Sequence, residues 1–170
     1  MTDTKIKLRP IKESDADAIA VLANNKKIWD NVRNKMPFPY AVKDAEYFIG
    51  LKINEDPVST FVIEYEGQLS GLIGLHVQED VYCKSAELGY WIGEPFWRKG
   101  IASEAVKLIL NYGFETLNLS RIFAATYEYN TGSMKVLKKN GFRSEGIARK
   151  AVFKNNAFYD EHRFGKLKGE

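Results

Sequence analysis

In residues 90–102 the chain reads YWIGEPFWRKGIA, a pattern that predicts a strand, a turn and the start of a helix. The first amides of such a helix lack intrahelical acceptors, and its N-terminus carries about half a positive charge. Arg98 and Lys99 add two cations, and Gly100 lets a ligand approach the main chain. The stretch therefore predicts a site for an anion such as a phosphate. The helix itself is predicted by apolar residues at helical spacing: Ile101, Ala105, Leu108, Ile109 and Tyr112.

Two other phosphate-binding loops are missing from the sequence. No G-x-x-x-x-G-K-[ST] occurs, and Gly89 and Gly93 do not complete a G-x-G-x-x-G. Nucleotide hydrolysis and dinucleotide binding therefore lose support. Taken alone, the stretch is equally compatible with an ordinary strand-to-helix turn whose cations are solvated.

Length and composition predict one domain over residues 1–170, since 45% hydrophobic and 28% charged residues are ordinary for a globular protein. The net charge of +3 is small and the cations are spread along the chain, so we expect no nucleic-acid partner. The first residues lack an apolar leader core, and no apolar run reaches membrane-spanning length. We therefore expect a cytoplasmic protein with no membrane partner.

Cysteine and histidine are scarce in this chain. The single Cys83 excludes an internal disulfide, and a nucleophilic role would need an activating base. Because His76 and His162 are distant from it in sequence, we expect Cys83 to be a passive residue. The same scarcity predicts no metal site.

The remaining periodicities predict a mixed α/β chain. A tight hairpin is expected at Gly67–Gln68, a last hairpin around Asn155–Asn156, and a left-handed helix end at Gly141. Ser14 or Asp15 is expected to cap the first helix. Predicted strands cover 5–11, 60–66, 69–79, 85–92, 121–127, 142–153 and 157–167. A first predicted helix ends near 24–25, and a short helical turn is expected at 28–32. Further predicted helices cover 44–53, 101–116 and 131–140.

Three segments together resemble the GNAT superfamily of acetyl-CoA-dependent N-acetyltransferases. They are ELGYWIG at 87–93, FWRKGIASEA at 96–105, and NTGS at 130–133 followed by GF at 141–142. The likeness is greatest to the RimJ/RimL branch, named for ribosomal-protein N-terminal acetyltransferases, and runs over nearly the whole chain. It implies the GNAT acyl-CoA N-acyltransferase fold, α/β, with a mostly antiparallel sheet of about seven strands splayed at the cofactor site and about four flanking helices.

The resemblance implies acetyl-CoA as cofactor and no metal. The superfamily's pyrophosphate loop, Gln/Arg-x-x-Gly-x-Gly/Ala, falls on residues 97–102, where Gly100 and Ala102 match and Trp97 departs from the first position. The edge of the preceding strand is implied to pair with the pantetheine amides, as an added strand would. The implied cofactor-binding residues are Trp91, Ile92, Arg98, Lys99, Gly100, Ile101, Ala102, Ser103, Asn130, Ser133 and Lys139.

The chemistry of acetyl transfer needs a neutral amine. At pH 7 an α-amine with a pKa of about 7.8 lies roughly 1.1 kcal/mol from its neutral form, whereas a lysine near 10.4 lies roughly 4.6 kcal/mol away. An N-terminal amine therefore needs little general-base help. Positioning, and carbonyl polarisation by a strand N–H near Ile92, should carry most of the rate.

The best-known general acid of the superfamily is a tyrosine seven residues after the Asn130 position, and here that residue is Leu137. Ser133, which matches the Asn-x-x-Ser pattern of the branch, is our candidate to protonate or hydrogen-bond the departing sulfur. Equally, Ser133 could be a first-turn residue that satisfies its own backbone. Tyr127 and Tyr129 are the fallback donors.

Glu87 is the candidate base, since strand alternation turns it away from Leu88. A solvated or salt-bridged strand glutamate is the commoner case.

The resemblance also implies an acceptor wall. Asp160 is expected to border it, or else to pair with Arg149 or Arg163. The other implied residues are Trp29, Arg33, Phe38 and Tyr40, whose alternative is ordinary packing.

The expected reaction moves acetyl from acetyl-CoA to a primary amine by direct attack in a ternary complex. A protein or peptide N-terminus is the favoured acceptor, because no acidic run accompanies the wall residues as a polycation would require. The alternatives are a small-molecule amine such as a polyamine or aminoglycoside, and a non-catalytic CoA-binding module. A monomer and a homodimer are both compatible with the sequence.

Overall fold

The computed structural model describes residues 5–170. The predicted lack of a leader rests partly on residues 1–4, which lie outside the described residues. Seven strands are β1 Ile6–Pro10, β2 Thr60–Tyr65, β3 Gln68–Val77, β4 Ser85–Ile92, β5 Arg121–Tyr127, β6 Arg143–Lys154 and β7 Ala157–Leu167. Five α-helices are α1 Ala16–Ala23, α2 Lys26–Trp29, α3 Val42–Lys52, α4 Ile101–Asn111 and α5 Thr131–Lys139.

The strands form one sheet in the order β1-β2-β3-β4-β5-β7-β6. β1 pairs with β2, β2 with β3, β5 with β7, and β6 with β7, all antiparallel. β4 and β5 are parallel and pair only over Ser85–Glu87 of β4. The predicted mostly antiparallel sheet of about seven strands is confirmed. β7 lies between β5 and β6, so the second strand of the last hairpin pairs with the rest of the sheet and the first strand, β6, forms the edge.

Turn chemistry explains two hairpins. Asn155 and Asn156 both have positive φ, 51° and 60°, as predicted for the last hairpin. The first hairpin turns at Glu66 and Gly67, where φ is 49° and 80°. The predicted position of that turn is wrong by one residue, because Gln68 pairs with Tyr65 and belongs to the strand.

Two helix predictions need correction. The helix expected over 101–116 ends as an α-helix at Asn111 and continues as a π-helical turn, Tyr112–Thr116. Within that turn a Cβ on Gly113 would lie 2.7 Å from Ile122 Cδ1, so the absence of a side chain permits the close packing. The turn expected at 28–32 is α2, which starts earlier because the Asn25 side chain accepts a hydrogen bond from the Lys27 amide.

Asp15 does not cap α1 with its side chain as predicted. Its carboxylate instead accepts hydrogen bonds from the Lys12 amide at 2.8 Å and from two Arg9 nitrogens at 2.8 and 2.9 Å. Arg9 also binds Glu64 at 2.9 Å, so one guanidinium joins β1, β2 and the turn before α1. The physical reason is that an adjacent cation holds a carboxylate more strongly than a helix amide does.

The chain divides into two compact units. The first runs through Gly74 and includes Tyr90–Ala105, and the second comprises Leu75–Gly89 and Val106–Glu170. In the first unit α1 and α3 pack together, and its core is Ile11, Ala16, Ile19, Ala20, Ala23, Tyr40, Ala45, Ile49, Val62 and Leu72. Buried side chains of the second unit include Leu75, Ile109, Ile122, Leu137 and Phe164. No helix within residues 5–170 has the length and apolar character to cross a membrane.

Candidate active site

The predicted phosphate site is a turn of unusual backbone conformation, which we call the anion turn (residues 97–103). β4 ends at Ile92, a short 3-10 turn covers Glu94–Phe96, and α4 begins at Ile101. Arg98 and Gly100 have positive φ of 61° and 76°. The carbonyl of Gly100 accepts the first helical hydrogen bond, from the Glu104 amide at 3.2 Å. Residues 101–103 therefore supply the first-turn amides, which an α-helix leaves without intrahelical acceptors.

Gly100 provides the open side of the anion turn. A Cβ at this position would meet no heavy atom within 4 Å, and residues 98–100 are all exposed. Lys99 holds its ammonium over the rings of Phe96 and Tyr65, with 5.5 and 5.7 Å to the ring centroids. An exposed concavity of amides flanked by cations fits a diphosphate. The residues present therefore fit the cofactor that the resemblance implies.

Trp97 has a role that the sequence did not reveal. Its indole N–H donates to the Ile92 carbonyl at 2.7 Å, so the first residue of the turn is tied to the end of β4. Nearby Glu94 accepts hydrogen bonds from Asn25 at 2.6 Å and from Lys27. These bonds fix the entry to the anion turn from both sides. An aromatic donor can thus replace the glutamine or arginine of the superfamily loop without loosening the turn.

The end of β4 also lies very close to β3. The amide of Gly93 donates to the Ser70 carbonyl at 2.8 Å, and a Cβ on Gly71 would collide with the Trp91 carbonyl oxygen. Only glycine therefore suits position 71. The predicted pairing of Trp91 and Ile92 with pantetheine amides stays a prediction.

In the second unit Asn130 caps α5. Its side-chain oxygen accepts a hydrogen bond from the Ser133 amide at 3.2 Å, and its own amide donates to the Tyr127 carbonyl at 2.8 Å. The Ser133 amide is thus satisfied by Asn130, and the role of the Ser133 hydroxyl as an acid stays a prediction. Leu137, at the position of the family's acid tyrosine, is fully buried and serves the core.

Three tyrosines cluster beside this cap. The Tyr129 ring lies 5.8 Å from that of Tyr127 and 4.9 Å from that of Tyr159, both edge-to-face. Tyr159 belongs to β7 and Tyr129 directly precedes Asn130, so the start of α5 and the last hairpin are adjacent within this unit. The two fallback donors, Tyr127 and Tyr129, therefore lie close in sequence to Asn130, whose side chain caps the helical turn that contains Ser133.

Asp160 neither binds Arg149 nor Arg163 among the described residues, so the predicted arginine pairing is wrong. Its Oδ1 accepts a hydrogen bond from the Lys150 amide at 2.8 Å. Arg163 instead pairs with Glu161 at 3.1 Å. The reason is a bulge in β6 that turns the Lys150 amide toward β7, a long-range feature that local sequence does not signal.

Glu87 is the last residue of β4 that pairs with β5, opposite Phe123. It is half-buried, whereas its neighbours Ala86 and Leu88 are buried on the other face, as the alternation predicted. Its role as a base stays a prediction. Within the described part of the chain, Thr126 Oγ1 on β5 is the buried side-chain oxygen that has no hydrogen-bond partner.

The residues expected at the acceptor wall divide into two groups. Trp29 donates its indole N–H to the Met36 carbonyl at 3.0 Å, and its ring lies 5.8 Å from that of Phe38. Phe38 and Arg33 are exposed, but Tyr40 belongs to the core of the first unit. Burial, and then the nearby Asp44 carboxylate, raise the pKa of Tyr40 to about 12.

The other site residues raise no further geometric point. Lys139 is exposed in the last turn of α5. Residues 5–170 contain no group of three or more His, Cys, Asp and Glu side chains placed to hold a metal ion.

Known proteins resemble this chain in sequence and in fold. The sequence matches the acetyltransferase (GNAT) domain over residues 5–143. It is 30% identical over 164 residues to the uncharacterized N-acetyltransferase YoaA of Bacillus subtilis (strain 168), with 95% of this chain and 92% of that protein covered.

Two solved structures are similar to this chain in fold and in sequence. RimJ of Mycobacterium smegmatis in complex with CoA-disulfide superimposes with a TM-score of 0.85 at 27% identity, covering 96% of this chain and 82% of that one. Spermidine N-acetyltransferase of Vibrio cholerae, in complex with CoA and spermine, gives a TM-score of 0.82 at 25% identity, covering 98% and 97%.

The chain belongs to the GNAT acetyltransferase family. It is an acetyl-CoA-dependent N-acetyltransferase that acts on an amine acceptor. The alternative of a non-catalytic CoA-binding module is therefore not supported.

Proposed function

We propose that this enzyme acetylates the α-amine of a peptide or protein N-terminus by direct attack in a ternary complex. The observation that carries the proposal is the character of the surface beside Ser133. The Tyr129 ring contacts those of Tyr127 and Tyr159 beside the Asn130 cap of the second unit, and the Asp160 carboxylate already binds a backbone amide. A polyamine would need several free carboxylates there, whereas a peptide amine needs none.

The chemistry asked of the side chains is modest. Acetyl-CoA supplies an activated thioester, and an α-amine lies only roughly 1.1 kcal/mol from its neutral form at pH 7. The anion turn, with Arg98, Lys99, Gly100 and the first amides of α4, holds the diphosphate, and Lys139 meets the nucleotide end. Asn130, through its side-chain nitrogen, and the β4 end at residues 91–92 orient the pantetheine arm.

The proposed acid and base also have modest chemical roles. Ser133 donates a hydrogen bond to the departing sulfur, and the proton released by the amine passes to water, with Glu87 as acceptor through that water. Trp29, Arg33 and Phe38 are the residues of the first unit that we propose for acceptor binding, whereas Tyr40 belongs to the core of that unit.

A polyamine is the second candidate acceptor, and the likeness to the spermidine N-acetyltransferase of Vibrio cholerae supports it. Thiol release from acetyl-CoA separates the two candidates. The panel contains a free peptide, the same peptide with a blocked α-amine and an internal lysine, spermidine and an aminoglycoside. We expect turnover of the free peptide and little of the blocked one. Turnover of spermidine alone would contradict the proposal.

A further inference from the structure

A wide bulge in β6 forms the rim of an open pocket. Ala148 pairs with Glu161 and Val152 pairs with Tyr159, so the intervening residues 149–151 all face Asp160. At this point β6 therefore contains two residues more than β7. Lys150, in the middle, has a left-handed φ of 52°. A non-glycine residue adopts this conformation only when its surroundings hold it, and such residues cluster at functional sites.

Asp160 is what holds the bulge. Its Oδ1 accepts a hydrogen bond from the Lys150 amide at 2.8 Å, while its carbonyl accepts one from the Glu128 amide at 3.0 Å. The same residue therefore links the bulge of β6 to the chain that leads from β5 into α5. Tyr159, the neighbour of Asp160, contacts Tyr129 through its ring. The bulge is in this way linked through Tyr159 and Tyr129 to the start of α5, the helix that carries Ser133.

The bulge displays two cations whose side chains form no ion pair within residues 5–170. Arg149 and Lys150 are exposed, and in the part of the chain that the structure describes neither side chain makes a hydrogen bond or an ion pair. Other arginines of the last three strands are paired: Arg121 with Glu145, Arg143 with Glu170 and Arg163 with Glu161. Arg149, Lys150 and Asp160 together line an open surface pocket.

We propose that this bulge selects the acceptor, and that Arg149 and Lys150 bind a carboxylate carried by the acceptor peptide close to its N-terminus. The inference rests on the proposed function and narrows the acceptors to peptides that carry acidic residues directly after their N-terminal residue. Asp160 is a positioning residue, since it acts on the acceptor through the shape of the bulge. A cationic rim also repels polyamines, which agrees with the preference for peptides.

The test compares three peptides that differ only at their second and third residues, which are both Glu, both Gln or both Lys. We expect kcat/KM to fall about fivefold from Glu to Gln and again from Gln to Lys, the size of an exposed ion-pair contribution. Arg149→Glu should abolish this order and leave the KM for acetyl-CoA unchanged. Lys7→Glu, which makes the same charge change at an exposed residue of β1, should keep the order.

The role of Asp160 has its own pair of variants. Asp160→Asn retains an oxygen that can accept from the Lys150 amide and should keep the order of the peptides, whereas Asp160→Ala should lose it. A loss of turnover with every peptide in Asp160→Asn would show a direct charge contact with the amine and overturn the positioning role.

Other outcomes are equally decisive. Equal turnover of the three peptides refutes this inference and leaves the proposed function standing. Turnover of spermidine but of no peptide refutes both. A raised KM for acetyl-CoA in Arg149→Glu would mean that the cations bind the coenzyme instead of the acceptor.

Discussion

Replacing Gly100 by alanine tests the anion turn directly. The Cβ meets no atom of the chain within 4 Å, so no collision destabilises the variant. Its φ of 76° is disfavoured for alanine, which should lower the free energy of unfolding by about 1 kcal/mol. The same methyl group would stand where, in the proposed binding mode, the diphosphate approaches the main chain. Loss of one charge-assisted hydrogen bond, about 2 kcal/mol, should weaken coenzyme A binding roughly thirtyfold.

Gly67 provides the matched control. Its φ is 80°, a Cβ there also meets nothing within 4 Å, and it lies in the β2–β3 hairpin. Gly67→Ala should therefore lose the same stability and keep the affinity for coenzyme A. Urea unfolding measures the first quantity and isothermal titration calorimetry the second. If Gly100→Ala bound coenzyme A as tightly as Gly67→Ala, the reasoning about the turn would be refuted.

Three further perturbations probe the acid, the cysteine and the Arg9 network. Ser133→Ala should lower kcat about 100-fold in steady-state assays without changing acetyl-CoA affinity, and unchanged kinetics would remove Ser133 as the acid. Cys83→Ala should keep most activity, because Cys83 is exposed and direct transfer does not use it; near-total loss would indicate a covalent route. Burial alone would raise the pKa of Asp15, but hydrogen bonds from Arg9 and the Lys12 amide outweigh it and lower that pKa. Its stabilisation is therefore complete above the unfolded pKa of about 3.9 and disappears as the pH falls through the lower folded pKa. Asp15→Asn should accordingly cost about 2 kcal/mol of unfolding free energy at pH 7, and a deficit that persisted undiminished at pH 2 would contradict this.

Local periodicity was sufficient for most of the fold. β4 and β5 have the bounds that their alternating pattern predicts, and Asn155 and Asn156 adopt the left-handed turn their side chains favour. Features set by distant contacts were not predictable. The π-helical turn depends on how Gly113 packs against Ile122, and the place of β7 between β5 and β6 depends on pairing across the chain.

In the candidate site, too, the features set by neighbouring residues were predictable and those set by distant contacts were not. The anion turn was predictable because its glycine, cations and helix start are contiguous in sequence. The indole bond from Trp97 to Ile92 and the Asp160 bond to Lys150 join residues whose partnership depends on a particular backbone path. The prediction that Tyr40 binds the acceptor was misleading, because an aromatic residue beside a proline-rich loop shows the same sequence pattern whether it faces a ligand or packs in a core.

The most direct measurement is a crystal structure of the enzyme with coenzyme A. The diphosphate oxygens should lie within hydrogen-bonding distance of main-chain N–H groups from residues 98–103, with Gly100 beneath them. A structure that placed the diphosphate on other residues, or calorimetry that detected no binding of the coenzyme, would contradict the account.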